Sequence, residues 1–487
     1  MSWKDTAEPV LTRLPAIRRP DQHVPFRRKL GWTAGILVLY FFLTNVMLFG
    51  VGSSNEVFGR FRSILAGASG SLMQVGIGPI VTASIVLQLL GGSNLLGLDT
   101  QNNPRDQVLY QGLQKFLVFV MTAMTAIPMV YAGFLTPDAS VASSLGIPVG
   151  GLELLIFAQV FAGGILILYM DEIVSKWGIG SGIGLFIIAG VSQRMIGGLI
   201  STPNLGGSWG ILPTWVRMII GAEERPNPIA PGGLNELLTG QAEVLAIITT
   251  VAIFVIVVYA ESVRVEIPLS NARVKGARGR FPVKLIYASV LPMILVRALQ
   301  MNIQFLGQGL NNAISMPTWL GVYDSNGQVV DGLFYYLAPI QSPQDWMWFA
   351  YSVDGNPEIW QILARVSIDL TVMIIGGAIF AIFWVRTTNM DPEATAQQIH
   401  GSGMQIPGFR QNVQSIERVL EQYIPQVTVL GGALVGVLAV GANMFGTIGN
   451  VTGTGLLLTV SITYKLYEQI AEEQLMEMHP MMRKMFD

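Results

Sequence analysis

The chain has 487 residues, of which 51% are hydrophobic and only 12% charged, and its mean hydropathy is +0.51. Long uncharged apolar runs recur from one end to the other, so the composition predicts a polytopic helical membrane protein rather than a series of soluble domains. The absence of cysteine excludes disulfides, thiolate nucleophiles and cysteine metal sites, and the net charge of −2 excludes no class of partner. His23, His400 and His479 lie in separate polar segments and predict no metal cluster.

The first 30 residues are polar and basic and precede the first apolar run. Their basic residues include Arg13, Arg18, Arg19, Arg27, Arg28 and Lys29. The segment lacks the form of a cleavable signal peptide. A short amphipathic segment on the membrane surface fits this pattern, and so does an unstructured basic tail in the cytosol.

Residues 56–96 are the most informative stretch of the chain. Residues 57–70 would form a helix of roughly 21 Å, which is shorter than a hydrocarbon core of about 30 Å. Residues 72–90 are long enough to span, but Gly76, Gly78 and Pro79 disfavour helix in the first turns. The chain is therefore predicted to enter the membrane partway, turn and then cross. Because irregular backbone at that depth is tolerated only inside protein or beside water, the stretch predicts the lining of a pathway.

The apolar runs predict ten membrane spans. They cover residues 31–49, 72–90, 113–135, 152–170, 182–200, 244–260, 285–306, 366–385, 428–445 and 453–470. The segment 261–284 is rich in Lys and Arg, whereas the segment 308–360 contains neither and carries acidic residues. The positive-inside rule therefore makes the first segment cytoplasmic and the second external, and it places both termini in the cytosol.

The polar segment 201–241 separates five predicted spans from five. An odd number of crossings inverts the second half relative to the first, which is the arrangement of an inverted repeat. The predicted organisation is a cytoplasmic segment (1–30), a five-helix half (31–200), an external hinge loop (201–241), a second five-helix half (242–470) and a cytoplasmic tail (471–487).

The predicted spans carry no motif of an enzyme, such as paired carboxylates, a Ser/His/Asp grouping or HExxH. The glycine run in KWGIGSGIGLF superficially resembles a phosphate loop, but Ile183 stands where GxGxxG needs its third glycine. No Lys-Ser or Lys-Thr pair follows the run. We interpret it as a sharp cytoplasmic turn that leads into the fifth span.

Two pairs of branched aliphatic residues lie near glycines at the start of spans. Ile77 and Val81, like Ile183 and Ile187, are four residues apart and share one helix face. Such residues can form a narrow constriction that gates by excluding water. Ordinary packing between helices or against lipid explains the same spacing, and spacing alone favours packing.

Two cytoplasmic loops are candidates for docking a partner. Positive-inside retention explains several charges of segment 261–284, ESVRVEIPLSNARVKGARGRFPVK. Its length and its glycine-interspersed basic tip also suit an anionic partner such as ribosomal RNA. The second candidate is segment 386–422, with GSGMQIPGFR at its centre.

Two arginines fall inside predicted spans, Arg194 in the fifth and Arg297 in the seventh. An arginine at such a position is a candidate for function and usually faces the protein interior or a watery cavity. Snorkelling to the membrane surface is the alternative, and it suits Arg194 better than Arg297.

Several motifs, taken together and in order, resemble the SecY family, which forms the pore of the Sec protein-conducting channel. They are GIGPIVTASIVLQLLGGS, WGIGSGIGLFIIAGVSQ, YAESVRVEIPLS, RFPVKLIYASVLPMIL, NIQFLG, MQIPGFR and TGTGLLLTVSITYKLYEQI. The resemblance covers nearly the whole chain, and the archaeal and eukaryotic type fits best. It is weakest in segments 201–241 and 308–360.

The resemblance implies an all-α integral membrane protein of ten helices in two inverted five-helix halves around an hourglass pore. It implies that residues 57–70 form a short plug half-helix, with Phe61, Ile64, Leu65 and Gly67 as its matching positions. It also implies an apolar pore ring, in which Leu457 is the alternative to the last member. The ring positions are Ile77, Val81, Ile183, Ile187, Ile294 and Leu458.

The resemblance further implies a lateral gate between the second and seventh spans, with Thr82 and Asn302 as polar gate residues. Thr125 stands where the family often has an acidic residue in the third span, so the resemblance does not assign that part of the polar gate network. Arg297 departs from the family, whose matching position is commonly small and apolar. The implied docking residues are Arg264, Arg273, Lys275, Arg278, Arg280 and Arg410.

The implied function is that of the central pore subunit of a multi-pass channel in the cell membrane. Such a pore translocates secretory polypeptides, releases membrane-protein helices sideways into lipid, and is passive, so a bound ribosome or another partner drives transport. The implied partners are a SecE-type (gamma) subunit, a small beta subunit, the ribosome, signal sequences, nascent polypeptides and membrane lipids. No cofactor, metal or DNA is expected.

A secondary transporter with inverted repeats and a broken helix is the rival class. Such a protein places ionisable or polar coordinating residues at the membrane midplane, whereas the candidate midplane positions here are Ile and Val. A structural membrane scaffold is a third alternative, and the polar gate positions fit it poorly.

Overall fold

The computed structural model describes most of the chain. The described part excludes residues 1–2, 23, 55–69, 93–95, 99–102, 132–134, 203–208, 223–236, 239–242, 272–277, 286–290, 314–315, 325–328, 350–352, 354–356, 389, 402–403, 406–411 and 479–487. Helices dominate it, and short strands lie in the connections.

The helices follow one another along the whole chain. They are α1 (Trp3–Leu11), α2 (Phe26–Thr44), α3 (Gly78–Gly92), α4 (Pro104–Tyr131), α5 (Ala139–Leu145), α6 (Val149–Trp177), α7 (Gly182–Ile200), α8 (Ile211–Ile220), α9 (Val244–Ser262), α10 (Leu291–Ala313), α11 (Leu333–Leu337), α12 (Ile359–Thr387), α13 (Pro392–Gly401), α14 (Val413–Phe445) and α15 (Gly453–Met478). The strands are β1 (Val51–Ser54), β2 (Leu135–Pro137), β3 (Arg264–Asn271), β4 (Arg278–Lys284), β5 (Val322–Tyr323), β6 (Val329–Asp331) and β7 (Met404–Gln405).

Within the described residues, α4, α6, α7, α9, α12 and α14 are long and apolar enough to cross a membrane. The other four predicted spans also coincide with helices, namely α2, α3, α10 and α15. The fifth predicted span matches α7 residue for residue. Several other helices extend well beyond the predicted span, as α14 does by beginning at Val413, because apolar length marks only the part of a helix that lies in lipid.

The second span begins later than the apolar run predicts. The run starts at Leu72, but the helix starts at Gly78, and residues 71–77 form turns instead. Gly76 has a φ of +58°, a left-handed conformation that suits glycine, and Pro79 follows in the first helical turn, where its missing N–H costs nothing. The predicted break at these residues is therefore present, and it displaces the start of the helix.

The turns before α3 pair with the chain that follows α2. The Leu48 N–H donates to the carbonyl of Gly70 and the Leu72 N–H donates to the carbonyl of Val46, both at 2.8 Å. The amide of Gln159 in α6 exchanges hydrogen bonds with the backbone N–H and C=O of Phe49, at 2.9 and 3.1 Å. Irregular backbone in this region thus finds its partners inside the protein.

The N-terminal segment is neither a free tail nor a helix lying only on the membrane surface. Its helix α1 packs on α4, where Lys4 pairs with Asp106 at 2.9 Å and Leu11 lies against Gly112. The segment that follows α1 runs past the C-terminal end of α6, where the Trp177 indole donates to the backbone carbonyl of Arg18 at 2.9 Å. Charge patterning could not reveal these contacts, because they depend on polar residues of α4 and α6.

Glycines bring two helices, α12 and α14, into close contact. A Cβ on Gly377 of α12 would lie 2.6 Å from the carbonyl oxygen of Gly432 of α14, and a Cβ on Gly432 would lie 2.6 Å from that of Gly377. One turn further along α14, Gly436 packs on the backbone of Met373 with the same spacing. Small residues four apart allow such close approach between helices in lipid.

Replacement of Gly432 by alanine should therefore destabilise the protein. Alanine normally favours a helix by up to about 1 kcal/mol, but here its methyl group must displace backbone, at a cost of roughly 1–3 kcal/mol. Gly441→Ala is the matched control, because this glycine lies on the same helix with nothing within 4 Å of its added Cβ. Thermal unfolding in detergent should show a lower midpoint for Gly432→Ala only. Equal midpoints for the two variants would contradict the close packing.

Candidate pore, lateral gate and docking surface

The six predicted ring residues belong to one apolar cluster at the centre of the protein. Five of them are at most 4% exposed, and Ile183 is partly buried against the same cluster. They come from α3 and the turn before it, from α7, from α10 and from α15. The cluster therefore joins positions from both halves of the chain. Leu457 is also buried in it, at 1% exposure, so burial does not separate it from Leu458.

The first ring pair lies at the junction between the turns and α3. The Val81 N–H donates to the carbonyl of Ile77 at 3.0 Å, so the helical pattern already links these two residues. Both side chains are buried. The two residues thus share one face directly after the irregular turns that precede α3, as their spacing predicts.

A carboxylate fixes the position of the second ring pair. Asp171 near the end of α6 accepts the N–H of Ile183 at 2.9 Å, in the first turn of α7. Gly182 lies so close that an added Cβ would be 2.6 Å from the Cα of Asp171. The glycine run before α7 is thus a turn held by α6, and Gly180 adopts a φ of +78° within it. Sequence reasoning missed Asp171, although an acid so near a span is itself a signal.

The two predicted gate residues contact one another. The Asn302 amide nitrogen donates to the Thr82 hydroxyl at 3.4 Å, which joins α10 to α3 by a long hydrogen bond. The Thr82 hydroxyl also donates to the carbonyl of Gly78 at 2.9 Å. Thr125 donates to Met121 in its own helix at 2.8 Å.

Arg297 has a partner that the sequence did not reveal. Its guanidinium pairs with Asp369 of α12 at 2.9 Å, and both side chains are buried. Asp369 lies inside the eighth predicted span and was not singled out. A second charged residue in a neighbouring span was the available signal, because buried charges are kept in pairs.

The plug residues Phe61, Ile64, Leu65 and Gly67 lie outside the described residues. The same holds for Arg273, Lys275 and Arg410 among the predicted docking positions. The chain on either side of the plug segment is described. Gly70 donates its N–H to the side-chain oxygen of Gln74 at 2.7 Å, and β1 pairs with β2.

The two predicted docking loops form one sheet. Strands β3 and β4 are antiparallel, with Pro268 opposite Arg280 and Ser270 opposite Arg278. Strand β7 of the second loop pairs with the end of β3, with Ser270 opposite Gln405. One face of this sheet packs with α13, with the C-terminal part of α12 and with the N-terminal part of α14 in a second apolar cluster.

Arg264 begins the first strand of this sheet, directly after α9. Its guanidinium lies 3.9 Å from the carboxylate of Glu266, and more than half of its side chain is exposed. Lys284 at the end of β4 pairs with Glu468 of α15 at 2.6 Å. The sheet is thus joined to α15, the helix that carries the predicted ring residue Leu458.

The model of the SecY family matches residues 71–467 of the chain, and the model described as the plug domain of Sec61p matches residues 38–70. Among curated proteins, the chain is 70% identical over its full length to the full-length protein translocase subunit SecY of Haloarcula marismortui. The chain belongs to the SecY family. It is also 50% identical to the Archaeoglobus fulgidus SecY, over 98% of this chain and 97% of that one.

Solved structures of the family share the fold. A chain described as a protein conducting channel aligns with a TM-score of 0.80 at 38% identity, over 97% of this chain and 98% of that one. The Sec61 of a canine ribosome-channel complex aligns with a TM-score of 0.77 at 38% identity, over the same shares. The predicted family and fold class, with ten membrane helices and a plug, are confirmed. The match of residues 38–70 includes the predicted plug segment.

Removal of the Asp171 carboxylate should loosen the start of α7. In Asp171→Ala the Ile183 N–H loses its acceptor, so we expect Ile183 to move and ion leak through the resting channel to rise several-fold. In Asp171→Asn an amide oxygen remains as acceptor, and leak should stay closer to that of the parent. Conductance of vesicles that contain purified channel measures both. Equal leak in Asp171→Ala and the parent would contradict the role of Asp171.

Proposed function

We propose that this SecY-family chain conducts unfolded polypeptides through the apolar constriction formed by its ring residues. The proposal rests on the observation that buried branched aliphatic side chains from both halves of the chain meet in a single cluster. The chain is a multi-pass membrane channel subunit and not an enzyme, as the family and the channel structures establish.

The chemistry of an aliphatic ring suits this task. Ile, Val and Leu side chains offer no hydrogen bonds, so they exclude water and ions while the channel rests. They also make no specific polar contact with a passing chain, which lets many different sequences pass. The proposed ring consists of Ile77, Val81, Ile183, Ile187, Ile294 and Leu458.

We further propose that α3 and α10 form the lateral gate. The hydrogen bond of 3.4 Å between Asn302 and Thr82 favours the closed state, and its length makes it weak. An apolar signal sequence that enters between the two helices can exchange this contact for apolar contacts with channel and lipid. Sideways release of membrane-protein helices would use the same opening.

The plug assignment rests on the match of residues 38–70 to the plug-domain model. We propose that residues 57–70, including Phe61, Ile64, Leu65 and Gly67, close the external side of the ring. The end of this segment is anchored at Gly70, which accepts the N–H of Leu48 and donates its own N–H to Gln74.

We propose that the sheet of β3, β4 and β7 docks a ribosome on the cytoplasmic side. The supporting observations are the basic loop sequence, the union of both loops in one sheet, and the ribosome-bound Sec61 among the matching structures. The proposed contacts are Arg264, Arg273, Lys275, Arg278, Arg280 and Arg410. Both termini then lie in the cytosol, and SecE-type and small beta subunits complete the channel.

The proposed organisation keeps two inverted halves, residues 31–200 and 242–470, on either side of an external hinge at 201–241. The pair of Arg297 and Asp369 argues against the rival reading as a transporter. The two charges neutralise each other at 2.9 Å and are buried, so neither is open to a solute. Saturable, ion-coupled uptake of a small solute by purified protein would contradict the proposal.

Glycine in place of both Ile183 and Ile187 should widen the ring. We expect ion leak to rise at least about tenfold and weaker signal sequences to be accepted, because the constriction then admits water. Ile196→Gly with Ile200→Gly is the matched control, since these residues have the same spacing on the same helix and are both 55% exposed. Vesicle conductance and translocation of a reporter with a shortened signal sequence provide the readouts. Unchanged values for the ring variant would refute the ring assignment.

Charge reversal of Arg278, Arg280 and Arg410 to glutamate should weaken ribosome binding. Each lost phosphate contact reduces the magnitude of the negative slope of log affinity against log salt by about 0.9, so the salt dependence should weaken along with the affinity. Reversal of Arg13, Arg18 and Arg19, which are exposed in the N-terminal segment, changes the net charge equally and serves as control. Co-sedimentation of ribosomes with the channel across salt concentrations tests this. An equal effect of both triple variants would show that general charge, and not this sheet, attracts the ribosome.

A further inference from the structure

A pair of opposite charges is buried between α10 and α12, inside the membrane-spanning part of the chain. Arg297 is 0% exposed and Asp369 is 2% exposed, and the guanidinium Nη1 donates to the carboxylate Oδ1 at 2.9 Å. Gln300, one turn further along α10, accepts from the same Nη1 at 2.9 Å and donates to the same Oδ1 at 3.0 Å. Charges at such depth are costly to bury, so a retained pair is a candidate for function.

The same network reaches the external segment between α10 and α12. The second oxygen of Asp369 accepts the backbone N–H of Ile340 at 3.2 Å. One turn earlier on α12, Arg365 donates to the carbonyls of residues 338 and 339 at 3.0 and 3.2 Å. From α10, Gln304 donates to the carbonyl of residue 334 at 3.1 Å. Residues 334–340 are therefore fastened to both helices.

The face of α10 that carries Arg297 also packs closely on α12. A Cβ built on Gly376 would lie 3.0 Å from both methyl carbons of Val296, which precedes Arg297. A Cβ on Gly377 would lie 3.2 Å from the terminal methyl of Met293. Close apolar packing and a buried ion pair thus occur together on this side of α10.

The contact of α10 with α3 is of a different kind. Asn302 lies five residues after Arg297, which is about 140° around a helix of 3.6 residues per turn. Its polar contact with α3 is the hydrogen bond of 3.4 Å to Thr82, and its side chain is exposed. One face of α10 is therefore bound by charge and close packing, and the other by a long neutral hydrogen bond.

We propose that Arg297 and Asp369, with Gln300, are positioning residues that fasten the gate helix α10 to α12. The lateral opening then parts α3 from α10, while α10, α12 and residues 334–340 move as one body. Separation of α10 from α12 would strand two charges in a low-dielectric medium, which costs far more than loss of one neutral hydrogen bond. Ile294 precedes Arg297 by three residues, so the same clamp fixes this ring position. The inference rests on the gate proposed above.

Introduced disulfides can test which neighbour α10 separates from, because the chain has no cysteine of its own. A Cβ on Gly376 lies 3.7 Å from that of Val296, within the range of a disulfide. Oxidation of Val296→Cys with Gly376→Cys should leave translocation of a secretory protein into vesicles within about twofold of the reduced form. A short thiol crosslinker between Thr82→Cys and Asn302→Cys should lower it at least about tenfold.

The two cysteine pairs test different claims: the first tests the clamp, and the second tests the gate assignment. Failure of the Val296 and Gly376 pair to oxidise, or a tenfold loss of translocation when it does, would overturn the clamp. Undiminished translocation with the Thr82 and Asn302 pair joined would overturn the gate assignment, and the direction of opening with it.

A charge variant tests the ion pair itself. Asp369→Asn keeps the side-chain shape but leaves the buried Arg297 without a counter-charge, so we expect several-fold higher ion leak and acceptance of weaker signal sequences. Oxidation of the Val296 and Gly376 cysteine pair in that background should return the leak to the parent value. Ser367→Ala, which alters an exposed residue of the same helix, should leave the leak unchanged. Parent-like leak in Asp369→Asn, or leak that the disulfide does not lower, would overturn the role of the pair.

Discussion

The need to pair every backbone polar group inside the membrane shapes the centre of this protein. A chain that stops partway and turns exposes N–H and C=O groups that lipid cannot satisfy. Here residues 46–48 and 70–72 supply partners for one another, and the side chain of Gln159 satisfies Phe49. The break in the second span is therefore a built feature, and it places Ile77 and Val81 at the start of a crossing helix.

The same requirement applies to charge, because a charge buried in the membrane needs a partner. Arg297 and Asp369 form a buried ion pair on the side of α10 where glycines of α12 permit close contact. Helix α15 is tied to β4 by the pair of Lys284 and Glu468 and to α2 by the pair of Lys29 and Glu473. This helix also carries Leu458, so the sheet proposed for docking, helix α2 and a predicted ring position are joined through one element.

Sequence reasoning predicted much of this arrangement. Apolar length predicted all ten helices, and the glycines with Pro79 predicted the break, because both signals are local. The family resemblance, rather than spacing, indicated the ring, since four-residue spacing of aliphatic residues fits ordinary packing equally well. Neither signal revealed the contacts between distant segments. The pairing of Asp369 with Arg297, the acceptance of the Ile183 N–H by Asp171, and the union of β3 with β7 all depend on tertiary placement.

The start of α3 shows the limit of the local signals most clearly. Hydropathy counts Leu72 to Ile77 as part of a span, yet the backbone there is irregular and is held by partners from other segments. Hydrogen bonds between segments that are distant in the sequence therefore help to set where α3 begins.

The most direct test of the account is to find where a polypeptide lies while it crosses. A photoreactive residue at position 77 of the channel, combined with a stalled secretory chain, reports contact with the ring. Position 38, where Val38 is 69% exposed on α2, is the matched control. The account predicts a crosslink to the stalled chain from position 77 and none from position 38. No crosslink from position 77, or equal crosslinks from both, would contradict conduction through the ring.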